Sequence, residues 1–385
     1  MENGEKRKLG IRDIVGIVIR FFRKNLVMLI AFVVALVTCF IVPPDEKYLG
    51  YFDLKTLSCL FLVLAVVCAL RNIRFFYILA KKIVSIFKNT RASVLALVYI
   101  TFIGSMLIAN DMALLTFLPL SYYVLNETKK QKYMAFTFIM QNIAANLGGM
   151  LTPFGNPQNL YIYSTFKVNT WEFMLIMLPP FILSVALITV CCLVFVKKEE
   201  ISVDNEEVKL PPVRASIYLV LFVLSIAVVF GVPYWIGLII IPVALLIMDR
   251  KALLAVDYPL LLTFVFFFIF AGNMARIEAV SSFFASLLEW NTMVVSALSC
   301  QVISNVPSAI LLSQFTTDYR SLLLGVNIGG VGTLISSLAS LITLREYTSL
   351  DPKGTTKYVL KFSAFNLAFL FILIGFMLLI NHIWY

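Results

Sequence analysis

The sequence predicts an all-α polytopic membrane protein built as two inverted repeats, each with a re-entrant hairpin and a broken, locally unwound transmembrane helix. Three observations predict it. The chain of 385 residues is 61% hydrophobic and only 14% charged, with a mean hydropathy of +0.94. That is more apolar surface than a soluble domain can bury. The motif Asn146-Leu147-Gly148-Gly149-Met150-Leu151-Thr152 recurs as Asn327-Ile328-Gly329-Gly330-Val331-Gly332-Thr333. Each copy follows a polar interruption of an apolar stretch, Asn110-Asp111 before the first and Ser304-Asn305 before the second. Irregular backbone at membrane depth is tolerated only where protein buries it or where it lines a cavity. Paired interruptions in corresponding places of two halves are the best pointer to a solute-binding site.

The formal net charge is +10. In so apolar a chain this reads as positive-inside topology rather than as a nucleic-acid surface. Six cysteines lie scattered in apolar stretches with no metal-ligand or disulfide spacing, so they read as small core residues. The first apolar run is long and lacks a cleavage-site pattern, as expected of a retained anchor.

Taken in order, residues 1–25 carry seven Lys or Arg and are expected in the cytoplasm. Residues 9–22 are weakly amphipathic and suit the membrane surface. The first membrane repeat is placed at 26–196. Spans at about 26–42 and 54–70 are joined by the non-basic Asp45-Glu46-Lys47, expected outside. Residues 71–91 carry six basic side chains among Phe75, Phe76, Tyr77 and Ile78, which reads as an interfacial helix. The stretch 93–125 has basic flanks at both ends, so both ends belong in the cytoplasm. It is predicted to be a hairpin with Asn110-Asp111 at its tip. One plain span with a polar kink is the alternative. Residues 133–166 form the broken helix. It unwinds through Thr152-Pro153-Phe154-Gly155-Asn156-Pro157-Gln158-Asn159 because Gly148, Gly149, Pro153, Gly155 and Pro157 cannot carry a helix across ten residues. A span at about 173–196 completes the repeat.

Residues 197–212, acidic and Pro-terminated, form the predicted cytoplasmic linker. The second repeat, 213–385, has spans at about 217–232, 234–247 and 253–271, with Asp249-Arg250-Lys251 as a cytoplasmic turn. An odd number of spans inverts the remaining elements. Residues 276–290 mirror the interfacial helix, now outside. Residues 292–315 form the second hairpin with Ser304-Asn305-Val306-Pro307-Ser308 at its tip. Residues 322–344 form the second broken helix, unwound from about Gly329 through Gly330 and Gly332 to Ser337. A basic cytoplasmic loop at 345–361 precedes a last span at about 362–380, which leaves the C-terminus outside.

The chemistry derives from these tips. Helix N-termini present free N–H groups and partial positive charge, while unwound carbonyls offer oxygens to a small cation. An anion and a coupling cation can thus be held without buried lysine or arginine. Asp111 is the one acidic residue near the proposed midplane, and an ionisable group there is a functional candidate, for a proton or for sodium. Capping of backbone N–H groups is its structural alternative. Asn110 and Asn305 suit both roles of an amide, carbonyl to cation and N–H to anion. Thr152, Gly155, Asn156, Gln158 and Asn159 in one half, and Ser304, Thr333, Ser336, Ser337 and Ser340 in the other, supply further neutral polar groups. Sodium, if bound, is expected at Asn110, Asp111 and Gly155. Asn146 and Asn327 are expected to satisfy unwound backbone. No cofactor is expected beyond a coupling ion, Na+ or H+.

The strings Asn110-Asp111-Met112-Ala113-Leu114-Leu115-Thr116, Thr152-Pro153-Phe154-Gly155-Asn156-Pro157-Gln158-Asn159 and Ser304-Asn305-Val306-Pro307-Ser308 resemble the ion transporter superfamily. It includes arsenite permeases, citrate and dicarboxylate carriers, and a sodium/proton antiporter branch. The resemblance spans nearly the whole chain. It implies that Asn110 and Asn305 take the tip asparagine positions and that Gly155–Asn159 takes the unwound sodium-binding segment. It also implies a homodimeric scaffold carrying an elevator-type transport unit. The departures are in the tips. Asn110-Asp111-Met112 and Ser304-Asn305-Val306 stand where dicarboxylate carriers have Ser-Asn-Thr, and Ser336-Ser337-Leu338-Ala339-Ser340 lacks the prolines. The Asn-Asp pair is closer to the arsenite-permease side.

The expected function is a secondary active transporter in the cell membrane for a small anionic solute, a di- or tricarboxylate such as citrate or an oxyanion, coupled to Na+ or H+. Arsenite efflux and Na+/H+ antiport are alternatives within the superfamily, and an uncoupled channel is one outside it. An enzyme is disfavoured because the only histidine is His382, near the C-terminus. A primary pump lacks its GxxxxGK[ST] loop.

Overall fold

The computed structural model describes residues 25–201 and 210–384. The basic segment ahead of residue 25 and half of the predicted linker, residues 202–209, therefore lie outside the described residues. Among those residues every regular element is helical, apart from one isolated antiparallel bridge between Asn89 and Glu200. The first half comprises α1 (Leu26–Ile41), α2 (Leu54–Asn72), α3 (Phe75–Val84), α4 (Thr90–Ile108), α5 (Asn110–Glu127), α6 (Met134–Gly148), α7 (Pro157–Thr165) and α8 (Thr170–Phe195). The second comprises α9 (Pro212–Phe230), α10 (Tyr234–Met248), α11 (Arg250–Leu254), α12 (Tyr258–Ala275), α13 (Glu278–Ile303), α14 (Asn305–Leu312), α15 (Tyr319–Ile328), α16 (Leu338–Leu350) and α17 (Thr355–Trp384). Seven of the described helices are long and apolar enough to cross a membrane: α2, α4, α8, α9, α12, α13 and α17. In a chain this apolar, they make a multi-pass membrane protein.

Short polar side chains start these helices. Asp53, Asn89, Asn169, Asp257 and Asp318 each accept a backbone N–H two or three residues on, at 2.9–3.1 Å. Such caps satisfy donors that a helix leaves orphaned, which matters most where water is scarce. Pro119, Pro179, Pro180 and Pro242 lie inside helices. Neighbouring helices tolerate them in a membrane bundle.

Helices occupy the apolar stretches expected of them, with corrections at the boundaries. Each hairpin turns one residue before its asparagine, at Ala109 (φ 64°) and Ser304 (φ 74°). Asn110 and Asn305 are the first helical residues beyond. Pro157, Gln158 and Asn159 are not unwound but open α7, since proline at a helix's first position loses only an N–H that would be unpaired anyway. Pro307 likewise sits in the first turn of α14. The loop expected at 345–361 is largely helical: α16 runs to Leu350 and α17 begins at Thr355, with Asp351 capping the turn between. The span expected from 253 begins at Tyr258, behind the short α11 that Asp249 caps. The predicted division between an interfacial element and the second hairpin appears at Asn291, whose extended backbone (φ −169°, ψ 99°) breaks α13.

Packing places the polar breaks in the interior. Within the first half, α4, α5 and α6 pack on one another, and within the second α13, α14 and α15 do the same. Across the halves, α16 packs on α5 and α6, and α14 packs on α7. Helix α2, buried along most of its length, backs onto α9, α10 and α11, while α1 lies along α12. Glycine sets how closely the first group approaches. A Cβ at Gly148 would strike the Phe102 carbonyl, and one at Gly329 would lie 2.8 Å from the Ala297 carbonyl. Small residues bring membrane helices to backbone contact in this way.

Candidate functional site

The two breaks are five residues of turn at 152–156 and nine residues at 329–337. Each holds itself with the same local bond: Gly155 N–H donates to the Thr152 carbonyl (3.2 Å) and Ser336 N–H to the Thr333 carbonyl (3.2 Å). Each is tied to its hairpin in the same way. Thr152 Oγ1 donates to the Met106 carbonyl at 2.8 Å, and Thr333 Oγ1 donates to the Gln301 carbonyl at 3.0 Å. Both acceptors lie four residues before the tip asparagine.

The tips use their asparagines alike as well. Asn110 Oδ1 accepts the Asp111 N–H and Asn305 Oδ1 accepts the Val306 N–H, both at 2.9 Å. That leaves each amide NH2 facing the interior. Asn110 Nδ2 donates to Asn146 Oδ1 at 3.2 Å. A Cβ at Gly330 would lie 3.2 Å from Asn305 Nδ2 and 3.4 Å from that same Asn146 Oδ1. Both tips therefore converge on Asn146 and Gly330. Asn305 N–H and Ser304 Oγ also donate to the Ser336 carbonyl, at 2.9 and 3.3 Å.

A second asparagine cluster crosses the halves. Asn327 Nδ2 donates to Asn159 Oδ1 at 2.7 Å, and Asn156 Nδ2 reaches Asn327 Oδ1 at 3.5 Å and the Asn146 carbonyl at 3.4 Å. Asn159 Nδ2 fans onto the carbonyls of Gly149, Met150 and Thr152 at 3.1–3.3 Å. The unwound carbonyls are thus bonded chiefly by Asn159, whereas Asn146 and Asn327 each donate to the helical carbonyl four residues back, Asn142 at 3.0 Å and Leu323 at 2.9 Å, and Asn327 alone of the two bonds across the halves. These asparagines are all buried. The first turns of α5, α7, α14 and α16 meet in this network, with the C-terminal ends of α6 and α15 between them. Four helix N-termini supply positive partial charge and two C-termini supply carbonyl oxygens.

Not every candidate joins the network. Gln158 is buried with Oε1 unpartnered, and Asn156 Oδ1 is unpartnered too. Ser336 Oγ turns back to the Gly330 and Thr333 carbonyls, and Ser337 pairs with Ser340 Oγ at 3.0 Å. Both are structural in this conformation. Asp111 stands apart, half-buried, its Oδ1 enclosed and without a hydrogen-bond partner. It caps no backbone N–H; Asn110 does that instead. Asp111 borders a cavity of about 50 Å3, between the first tip (Ala109, Met112), the first break (Phe154, Pro157) and Asp257 at the start of α12. That space has room for a few waters, not for a carboxylate the size of citrate.

Sequence reasoning missed several residues. Gln301 Nε2 donates to the Gly329 and Val331 carbonyls at 2.9 and 3.2 Å, and its Oε1 accepts the Thr333 N–H at 2.8 Å. It does for the second break what Asn159 does for the first. Gly332 (φ 131°) exists to admit it, because a Cβ there would collide with Gln301 Oε1. Asn142, one helical turn before Asn146, donates to Ser340 Oγ (3.4 Å) and Asn366 Oδ1 (3.2 Å). An amide within an apolar span, such as Asn366, was the available signal.

A helical membrane bundle with two interrupted helix pairs and a buried, neutral, polar centre is the architecture of a membrane transporter. The comparisons with known proteins agree. The citrate transporter family matches residues 14–318, and the chain belongs to that family. It is 32% identical over 319 residues to an uncharacterized transporter of Methanocaldococcus jannaschii, covering 83% of this chain and 88% of that one. It is 31% identical over 280 residues to the inner membrane protein YbiR of Escherichia coli, covering 70% of this chain and 74% of that one. The superfamily resemblance read from the tip and break strings is thereby confirmed.

Proposed function

We propose that this protein is a secondary active transporter of the cell membrane that moves a small anionic solute, a di- or tricarboxylate such as citrate or an oxyanion, coupled to Na+ or H+. The observation that carries the reading is the convergence of Asn110 and Asn305 on Asn146 and Gly330, with four helix N-termini around them. That arrangement offers an anion hydrogen-bond donors and dipoles without a buried cationic side chain. The unpartnered oxygens of Asn156 and Gln158 nearby suit a desolvated cation. The matching bonds of Thr152 and Thr333, and of the two tip asparagines, support reading the halves as inverted repeats with re-entrant hairpins. Such repeats transport by alternating access, here as an elevator in a homodimer, with the N-terminus cytoplasmic and the C-terminus outside.

One observation favours a second reading. Asp111 faces its own water-sized cavity with an unpartnered oxygen, the place for a proton in an arsenite permease or a Na+/H+ antiporter. The test is flux in proteoliposomes of labelled citrate, succinate and arsenite, each under an imposed sodium or proton gradient. Gradient-driven accumulation of a carboxylate is the expected result. Proton-linked arsenite movement, or Na+/H+ exchange with no anion moved, would replace the first reading with the second.

A further inference from the structure

A larger cavity, of about 400 Å3, adjoins the Asp111 cavity, and Leu115 lines both. Its walls are Arg71 from the end of α2, Arg74 from the α2–α3 junction, Tyr77 from α3, and Thr116 and Pro119 from α5. Arg71 and Arg74 are exposed, and neither joins an ion pair among the described residues. Arg74 is held at φ 56°, ψ 27°, a conformation uncommon for a residue with a side chain. Arg71 and Arg74 thus set two guanidiniums without an ion-pair partner among the described residues on the wall of this cavity, and Leu115, Thr116 and Met112 place it about one turn of α5 from Asp111. Such a cavity concentrates anions and repels cations, because low-dielectric walls focus the field of unpaired charge.

We propose that this cavity is an anion-collecting vestibule, in which Arg71 and Arg74 gather small carboxylates or oxyanions; the Asp111 cavity behind it is too small to pass them in this conformation, so their onward movement to the tip asparagines needs a change of conformation. It rests on the anion-transport reading and sharpens it: a channel or antiporter for cations would be hindered by these two charges. Headgroups of anionic lipids share the same chemistry and are the other source of anion.

The test reads the vestibule without needing the transported solute. Thr116→Cys places a thiol on its wall. Purified Thr116→Cys protein is reacted with a negatively charged and a positively charged methanethiosulfonate, and the labelling of protein without the new thiol is subtracted. The anionic reagent is expected to react about tenfold faster relative to the cationic one than it does with a free thiol. The preference should fall to near unity in Thr116→Cys/Arg71→Gln/Arg74→Gln and at high salt. Equal preference with and without the arginines overturns the proposal. The same measurement in bilayers of zwitterionic lipid, with and without added anionic lipid, separates the sources. A preference that survives anionic lipid supports a solute vestibule, and one that anionic lipid abolishes assigns the arginines to headgroups and overturns it. Flux then decides the link to function. Arg71→Gln/Arg74→Gln should raise the KM for a transported carboxylate about five- to tenfold with maximal velocity within about twofold. An unchanged KM in a protein that does move carboxylate sinks the vestibule alone. Charge-selective labelling in a protein that moves no anion sinks the transport reading instead.

Discussion

Asp111 and Gly330 set the site's behaviour at the scale of single residues. Asp111 is the only carboxylate at either tip, and one oxygen lacks a partner. Asp111→Asn keeps size and shape but removes a charge and a proton acceptor. It should abolish coupled transport in proteoliposomes while the unfolding midpoint in detergent moves by no more than a few degrees. Coupled flux at the native rate would show that Asp111 is not the coupling group. Gly330 has no room to spare: a Cβ meets Asn305 Nδ2 and the Asn327 carbonyl at 3.2 Å. Gly330→Ala should therefore push the tips apart and lower maximal velocity at least tenfold. Asn305→Ala removes the second tip's amide and should do the same, and native flux in that variant would reduce the tip to a structural turn.

Between elements, contact depends on a few backbone approaches. Gly148 lets α6 rest on α4 at the Phe102 carbonyl, and Gly329 lets α15 rest on α13 at the Ala297 carbonyl. A methyl group at Gly148 would meet the Phe102 carbonyl at 2.2 Å as well as Ser105 Oγ at 2.7 Å, and backbone cannot step aside alone, so it must displace a helix. Gly148→Ala should cost about 1–3 kcal/mol, measured as a lowered denaturation midpoint in detergent. A variant as stable as the native protein would mean that α6 can slide on α4 without loss. By contrast, Thr152→Val and Thr333→Val each remove one bond to the hairpin backbone. They should destabilise by about 1 kcal/mol apiece, with equal penalties if the two breaks are equivalent.

Over the whole molecule, ion pairs clasp segments distant in sequence. Arg276 binds Asp45 at 2.6 Å and Arg320 binds Glu172 at 2.6 Å. The Arg276 guanidinium holds the Asp45 carboxyl below its usual range. Lys130 and Lys132, between α5 and α6, both hold Glu199 beyond the end of α8, where Thr90 and Ile201 add backbone bonds across the same seam. Hydrogen bonds from Lys130 and then Lys132 depress the Glu199 carboxyl to about 2. A depressed carboxylate contributes fully above its unfolded value, about 4.3, and loses that contribution as pH falls towards its folded value. The clasp should therefore stay closed from neutral pH to about pH 4 and open only between about pH 4 and 2. Amide exchange of residues 197–201 should rise over that window in the native protein, and at neutral pH in Glu199→Gln. Protection lost already at pH 5 would show that these pairs do not hold the seam.

Membrane class, the helical stretches, both tips and both breaks were legible in the sequence, because a membrane-buried chain leaves few reasons for a cluster of Gly, Pro and Asn. The repeated Asn-x-Gly-Gly string located the breaks, since only small residues let helices meet at backbone distance and only irregular backbone needs amides inside a bundle. Boundaries were less legible. Whether Pro157 ends an unwound segment or opens α7 turns on the neighbouring caps rather than on the proline. The partners of the amides were not legible at all. Nothing in the local sequence says that Gln301 seals the second break while Asn159 seals the first, or that Asn327 reaches Asn159 in the other half. Nor could spacing along one chain place Arg71 and Arg74 beside Leu115 and Thr116, for they share a cavity only because α2, α3 and α5 pack together. Hydropathy and backbone chemistry act along the chain and can be read there. Hydrogen-bond partners, cavities and the sharing of charge are decided by distances between segments, which only the packed structure determines.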